Sequence, residues 1–160
     1  MNHTETQESS GEGKQTILVS ACLLGICCRY DGTDKTNENV CTLKKQYHLV
    51  PVCPEVYGGL ATPREPSERK DGLVVSRSGI DVTLPFEKGA QACLKLAKLL
   101  DCKFAILKER SPSCGHGEIY DGSFSGKVIA GNGVCAELLL EHDIRILGET
   151  EIGDDPFFIE

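Results

Sequence analysis

The stretch Thr16-Ile17-Leu18-Val19-Ser20-Ala21-Cys22-Leu23-Leu24-Gly25 decides the fold. Its first six residues form a short apolar run with β-branched members, which suits a strand buried on both faces. The small residues and glycine that follow mark a turn. The same pattern recurs along the chain. HLVPVC, residues 48–53, is apolar and again ends at a cysteine, while FAIL, residues 104–107, and IRIL, residues 144–147, are further short runs without polar alternation. Between the strands the period changes. From Pro85 or Phe86 to Leu100, the residues Ala90, Cys93, Leu94, Ala97, Leu99 and Leu100 recur at helical spacing, opposite Lys88, Lys95 and Lys98. A second helix is expected from about Asn132 to Glu141, and a weaker one over residues 41–47. LVVS and IDVTL, on either side of Arg77, Ser78 and Gly79, have hairpin spacing. Residues 54–72 and 108–126 are broken by Pro, Gly and Ser and read as long functional loops. Alternating helices and apolar strands predict an α/β fold, a single domain whose mostly parallel, Rossmann-like sheet is flanked by helices and carries a small hairpin insertion.

The 160 residues suit one such domain with a proper core. Residues 1–15 are polar and rich in Gly, Ser, Glu and Gln, which predicts a disordered tail before a domain over 16–149. Residues 150–160 are then a C-terminal extension. No stretch approaches the ~20 apolar residues of a membrane span, and the start lacks the features of a signal peptide, so the expected location is the cytoplasm. A formal charge of -7 and a pI of about 5.1 argue against binding bulk nucleic acid. The expected partner is a small molecule, with the chain a monomer or small homo-oligomer. Nine cysteines in a cytoplasmic chain point to metal binding or catalysis rather than to disulfides.

Open parallel sheets bind ligands in the crevice beyond the carboxyl ends of their strands. Cys22 and Cys53 directly follow strands, and Cys114 sits seven residues after Leu107. Three loops can thus bring three thiols to one crevice. SACLLG, CPE followed by GG, and SPSCG surround these thiols with Ser, Gly and Pro, which let a bulky group approach and leave backbone amides free to bond sulfur. Cys93 on the apolar helix face, Cys102, Cys41 and Cys135 read as structural, since a free Cys behaves as a small buried hydrophobe.

VSACLLG with RYDG, VPVCPEVYGGLATPREP, the DG and GIDVT segments, ILKERSPSCG, IYDGSFSG and GNGV occur in one order over about Val19 to Glu149. In that set the chain resembles the thiouracil desulfidases, a family formerly known only as a domain of unknown function. The resemblance implies an α/β fold with a [4Fe-4S] cluster on Cys22, Cys53 and Cys114, and removal of sulfur from thiolated pyrimidines such as 4-thiouracil or 2-thiouracil. A cubane with three cysteine ligands leaves one iron open for a soft thiocarbonyl sulfur. Sulfide would then depart on iron while water adds to the ring carbon, with no electron transfer. Glu55, two residues after Cys53, is the candidate base for that water, with Ser111 and Ser113 as hydroxyls that hold water, ring or sulfide. Ser111 is the first choice of the two.

Alternatives stand beside these assignments. Glu55 could simply pair Arg64 or Lys108, and the serines could cap a turn. Lys108, Glu109, Arg110, Arg29, Tyr30, Asp31, Tyr120 and Asp121 lie in the matched stretches, some of them to orient the nucleobase or fix the loops, with no ranking among them. His116 reads as solvated. The resemblance does not account for Cys27 and Cys28, and a fourth thiolate from either would close the open iron. A non-catalytic iron–sulfur, zinc or sulfur-carrier module would use the same three thiols. A thiol hydrolase on Cys53 or Cys114 would need His48 or His116 as its base.

Overall fold

A computed structural model describes residues 13–153, so residues 1–12 of the expected tail over 1–15 and the end of the extension, residues 154–160, lie outside the described residues, and Gln15 already belongs to the first strand. In chain order the elements are β1 (Gln15–Ser20), a 3-10 turn (Ala21–Leu24), α1 (Glu38–Thr42) with a second 3-10 turn (Leu43–Lys45), β2 (Tyr47–Val52) and α2 (Pro54–Tyr57). Then come β3 (Ser67–Lys70), β4 (Leu73–Ser76), α3 (Thr83–Leu99), β5 (Phe104–Leu107), β6 (Glu118–Tyr120), β7 (Val128–Ala130), α4 (Val134–Glu141) and β8 (Arg145–Gly148).

The four apolar runs form one parallel sheet in the order β2-β1-β5-β8. Strands buried on both faces need two covering layers. Leu18, Ala105, Leu107 and Ile146 pack with Ala90, Cys93, Leu94 and Ala97 of α3 and with Cys135, Ala136 and Leu139 of α4. Ile17, Val19 and Ile106 face the other way, against Leu23, Val40 and Leu43. The chain leaves β1 for β2 on one side and reaches β5 on the other. The order therefore reverses between β1 and β5, where such sheets open a crevice beyond their strand ends. Ser20 closes the back of it, its Oγ accepting the Lys108 amide at 2.8 Å.

The hairpin differs from the expected one. LVVS pairs backwards with Ser67–Lys70 through Asp71 and Gly72, whose φ values of 52° and 78° suit a two-residue turn. IDVTL contributes only an isolated bridge between Asp81 and Val75 before α3 begins at Thr83. The inward position of β3 is occupied by Glu68, which is buried, so the strand shows no apolar alternation. The two long loops also hold more regular structure than expected, namely α2 and β3 in the first and β6 in the second.

Candidate active site

Cys22 sits in the 3-10 turn after β1, Cys53 between β2 and α2, and Cys114 in the loop after β5. All three line one cavity of about 320 Å³, together with Ser20, Cys28, Glu55, Arg64, Ser111 and Ser113. Two close backbone approaches set the loops. A Cβ on Gly89 of α3 would stand 1.7 Å from the Pro54 carbonyl oxygen, so only glycine lets α2 lie there and fix Cys53. A Cβ on Gly133 would come within 2.4 Å of the Ser113 carbonyl carbon. Its absence lets the start of α4 dock under the Cys114 loop. Val134, Cys135 and Ala136 donate their amides to the carbonyls of Pro112 and Ser113 at 2.8–3.1 Å. The unpaired donors of that helix end are thereby satisfied by the loop they position.

A polar chain crosses the cavity from this loop to α2. Ser111 Oγ accepts the amides of Ser113 and Cys114 at 3.2 and 3.1 Å and lies 3.0 Å from Ser113 Oγ. Ser113, almost fully buried, donates to Glu55 Oε2 at 3.1 Å and has its Oγ 3.6 Å from Cys114 Sγ. Arg64 holds the other carboxylate oxygen, with Nε 3.2 Å from Oε1, and places Nη2 on the Cys28 carbonyl at 2.8 Å. Glu55 thus pairs Arg64, as one reading of the sequence allowed, and still presents Oε2 to the serine. Ser113 rather than Ser111 makes the direct contact. Ser111 ties the turn, the commoner use of a serine beside Pro.

The thiols differ in their electrostatics. Burial pushes Cys22 up to about 11, with the Lys108 ammonium partly opposing it. Burial also pushes Cys114 up, against hydrogen bonds from Ser20 and Ser113. Cys53 goes the other way, down to about 7, chiefly because the Cys28 thiol hydrogen-bonds it. Cys28 is raised in return by the same bond and by burial. Of the adjoining pair, Cys28 therefore reaches the cavity, whereas Cys27 is exposed and does not line it. Among the described residues no group of three or more His, Cys, Asp and Glu side chains is arranged to hold a metal ion. A tetrahedral zinc site would need its sulfurs each ~2.3 Å from one centre. In a cubane each thiolate takes its own iron, so ligands spread along a cavity wall suit that larger group.

Residues 17–151 match the family described as 2-thiouracil desulfurase. The chain belongs to that family. It is 45% identical over 148 residues to the Bacillus subtilis (strain 168) protein named "Uncharacterized protein YbbK", covering 86% of this chain and 98% of that one. Among solved structures it resembles the [4Fe-4S]-dependent thiouracil desulfidase TudS with a TM-score of 0.82 and 45% identity, over 87% of this chain and 93% of TudS. The α/β architecture expected from the sequence is that of this desulfurase family.

Other family-motif residues divide into two groups. Arg29, Tyr30, Lys108, Arg110 and Tyr120 line the cavity. Asp31 and Asp121 instead accept the amides two residues on, at 3.0 and 2.9 Å, and so make the turns of the two Tyr-Asp-Gly motifs. Glu109 fastens the Thr150 amide at 2.9 Å. His48 is exposed at the start of β2, His116 lies 3.9 Å from Glu151, and neither lines the cavity, so a cysteine there has no histidine base among the described residues. Cys93, Cys102 and Cys135 are buried in the core as expected. Cys41 places Sγ 3.7 Å from the Leu23 carbonyl. Ser20 carries no motif signal in the sequence, yet its hydroxyl bonds Cys114 from the end of a strand that otherwise reads as apolar. No helix of the described residues is long and apolar enough to cross a membrane.

Proposed function

We propose that this chain is a [4Fe-4S]-dependent thiouracil desulfidase that hydrolyses the carbon–sulfur bond of 4-thiouracil or 2-thiouracil to give uracil and sulfide. The observation that carries the reading is the meeting of thiols from three strand ends with the Glu55–Ser113 pair in one cavity. Membership of the desulfurase family and the likeness to TudS support the substrate class and the cofactor.

Cys22, Cys53 and Cys114 are the ligands, and the donor set fits the group. All three are soft sulfur, which suits iron–sulfur chemistry, and Cys114 receives the Ser20 hydroxyl, a donor of the kind that tunes a ligating thiolate. When bound, the cluster supplies an iron without a protein ligand that accepts the soft sulfur of the substrate.

The remaining steps belong to the chain. Arg64 fixes Oε1 of Glu55, so Oε2 is the oxygen offered to the cavity. A carboxylate oxygen accepts more than one hydrogen bond, so Oε2 can hold Ser113 and a water together. Glu55 takes a proton from that water as its oxygen adds to the thiocarbonyl carbon, and returns a proton as sulfur leaves. Ser113 keeps the carboxylate aimed, and Ser111 holds Ser113 in place. Water and thiouracil become uracil and hydrogen sulfide, and the ring carbon keeps its oxidation state.

The test is anaerobic purification with iron and sulfide analysis, followed by incubation with each thiouracil and assay for uracil. Four irons and matching sulfide with uracil formed are expected. A colourless protein that makes uracil without iron overturns the cluster assignment. A cluster-loaded protein that consumes neither thiouracil overturns the desulfidase reading.

A further inference from the structure

The same cavity is also lined by Tyr30, Arg77, Tyr120 and Phe124, to none of which the proposed reaction assigns a role. Phe124 is the unusual member. It lies in the turn between β6 and β7 with φ of 56°, a left-handed conformation that bulky side chains rarely adopt and that persists only where surroundings enforce it.

The enforcing group is Glu68. Its carboxylate is buried on β3, and Oε1 accepts the amides of both Gly122 and Phe124 at 3.0 Å. Taking a carboxylate out of water is unfavourable unless fixed donors replace the lost hydration. Here two loop amides, from Gly122 and Phe124 on either side of Ser123, replace it, so one side chain dictates the shape of the turn. On the same ring sits Arg77, its Cζ 5.9 Å from the ring centroid. Arg77 makes no ion pair among the described residues, so the aromatic ring is its charge partner.

A buried acid, a left-handed aromatic and a guanidinium on its ring together hold one flat apolar surface in the wall of the cavity. Nucleobases bind such surfaces by stacking, since every base has a π-face. We propose that Phe124 is the wall on which the pyrimidine ring of the substrate stacks, with Glu68 the positioning residue that holds the loop and Arg77 fixing the ring. This rests on the desulfidase reading and adds a specificity element to it: the cavity selects a flat heteroaromatic ring before any sulfur chemistry begins.

The experiment uses the cluster-loaded protein and two readouts, equilibrium binding of uracil by calorimetry and steady-state kinetics with 4-thiouracil. Phe124→Ala is expected to weaken uracil binding and raise KM by roughly 5- to 150-fold, the usual consequence of removing a stacking aromatic, with kcat within a few-fold and iron content unchanged. Phe124→Tyr should restore both, and Phe124→Leu, apolar but not flat, should not. Glu68→Gln, which keeps an acceptor but loses the charge, should give a smaller rise in KM than Phe124→Ala. If Phe124→Ala keeps its iron and leaves KM and uracil affinity unchanged, the stacking wall is overturned. Should the wild-type protein fail to turn over thiouracil yet bind uracil, with Phe124→Ala binding it more weakly, the desulfidase reading falls and the stacking wall stands. Wild-type protein that neither binds uracil nor consumes thiouracil overturns both.

Discussion

Ser113 Oγ donates to Glu55 Oε2 at 3.1 Å, joining residues 58 positions apart in sequence and carried by different elements. The bond links the third cysteine loop to the segment after the second, so the carboxylate is aimed by the fold rather than by its neighbours in sequence. It also leaves Oε2 as the oxygen that faces Ser113 and would hold the water in the proposed reaction, because Arg64 occupies the other.

Glu55→Gln keeps the shape of this pair but removes the base. Loss of a general base is expected to lower kcat by about 10²–10⁴-fold while iron content stays at wild-type level. Ser113→Ala leaves the base and removes only its aiming bond. A hydrogen bond to a charged group is worth about 1.5–3 kcal/mol, so the expected fall is roughly 10- to 150-fold. Steady-state rates with thiouracil, normalised to iron, check both. Full activity in Glu55→Gln would remove Glu55 from the base role.

Single replacement of Cys22, Cys53 or Cys114 by Ser should abolish stable cluster retention, read as iron and acid-labile sulfide per chain after anaerobic reconstitution. Two controls sharpen the result. Cys93→Ala lies in the core under α3 and should keep the cluster. Cys28→Ser lies at the cavity and should also keep it, since the proposed ligand set is Cys22, Cys53 and Cys114 and Cys28 bonds one of them. Loss of iron in Cys28→Ser together with retention in Cys22→Ser would reassign the ligand set.

The parallel sheet was legible because its central strands β1 and β5 are short apolar runs buried on both faces, while the edge strands β2 and β8 keep enough apolar residues to show beside their exposed positions. The three cysteines were legible for a related reason, since strand ends on a parallel sheet share one edge. β3 was not legible, because Glu68 occupies the position where an apolar residue would have shown the period. Asp71-Gly72 carried the missing turn signal, and the later Arg77-Ser78-Gly79 offered a competing one. The contact of Cys28 with Cys53 and the hydroxyl of Ser20 on Cys114 depend on how loops fold back in space. Residue spacing carries no trace of such contacts. Which of Ser111 and Ser113 faces the Glu55 carboxylate is likewise set by the turn geometry, which residue spacing does not carry.

Arg64 binds Glu55, the Cys28 carbonyl, the Ala61 carbonyl and Thr62 Oγ1 at once, and its side chain is only 9% exposed. Only a planar fork reaches all four acceptors. Arg64→Lys keeps the charge and loses the fork, so the loops carrying Cys28 and Glu55 come apart. With about 1–3 kcal/mol lost, the melting temperature should drop by roughly 2–12 °C and kcat should fall while KM for thiouracil changes little. Thermal melts and kinetics of the reconstituted variant test this, and wild-type values in both would show that the four contacts do no positioning.

The thiol pair gives a pH signature in the metal-free protein. Cys53 is held down to about 7 by the Cys28 thiol, from an ordinary 9.0. Its thiolate should therefore be alkylated ahead of the other cavity thiols Cys22, Cys28 and Cys114, with a rate that rises through pH 7 rather than 9. Cys28→Ala removes the donor and should move that inflection upward. Stability follows from the same shifts. The lowered Cys53 contributes stability that is complete above pH 9 and is lost as pH falls through 7. Raised Cys22 does the opposite, contributing below pH 9 and losing its contribution as pH rises through 11. Above pH 9 the first contribution no longer grows while the second declines, so the metal-free protein should melt at progressively lower temperature. Iodoacetamide labelling with peptide mapping and thermal melts across this range read both effects. Equal reactivity of Cys22 and Cys53 at pH 7 would contradict the pairing.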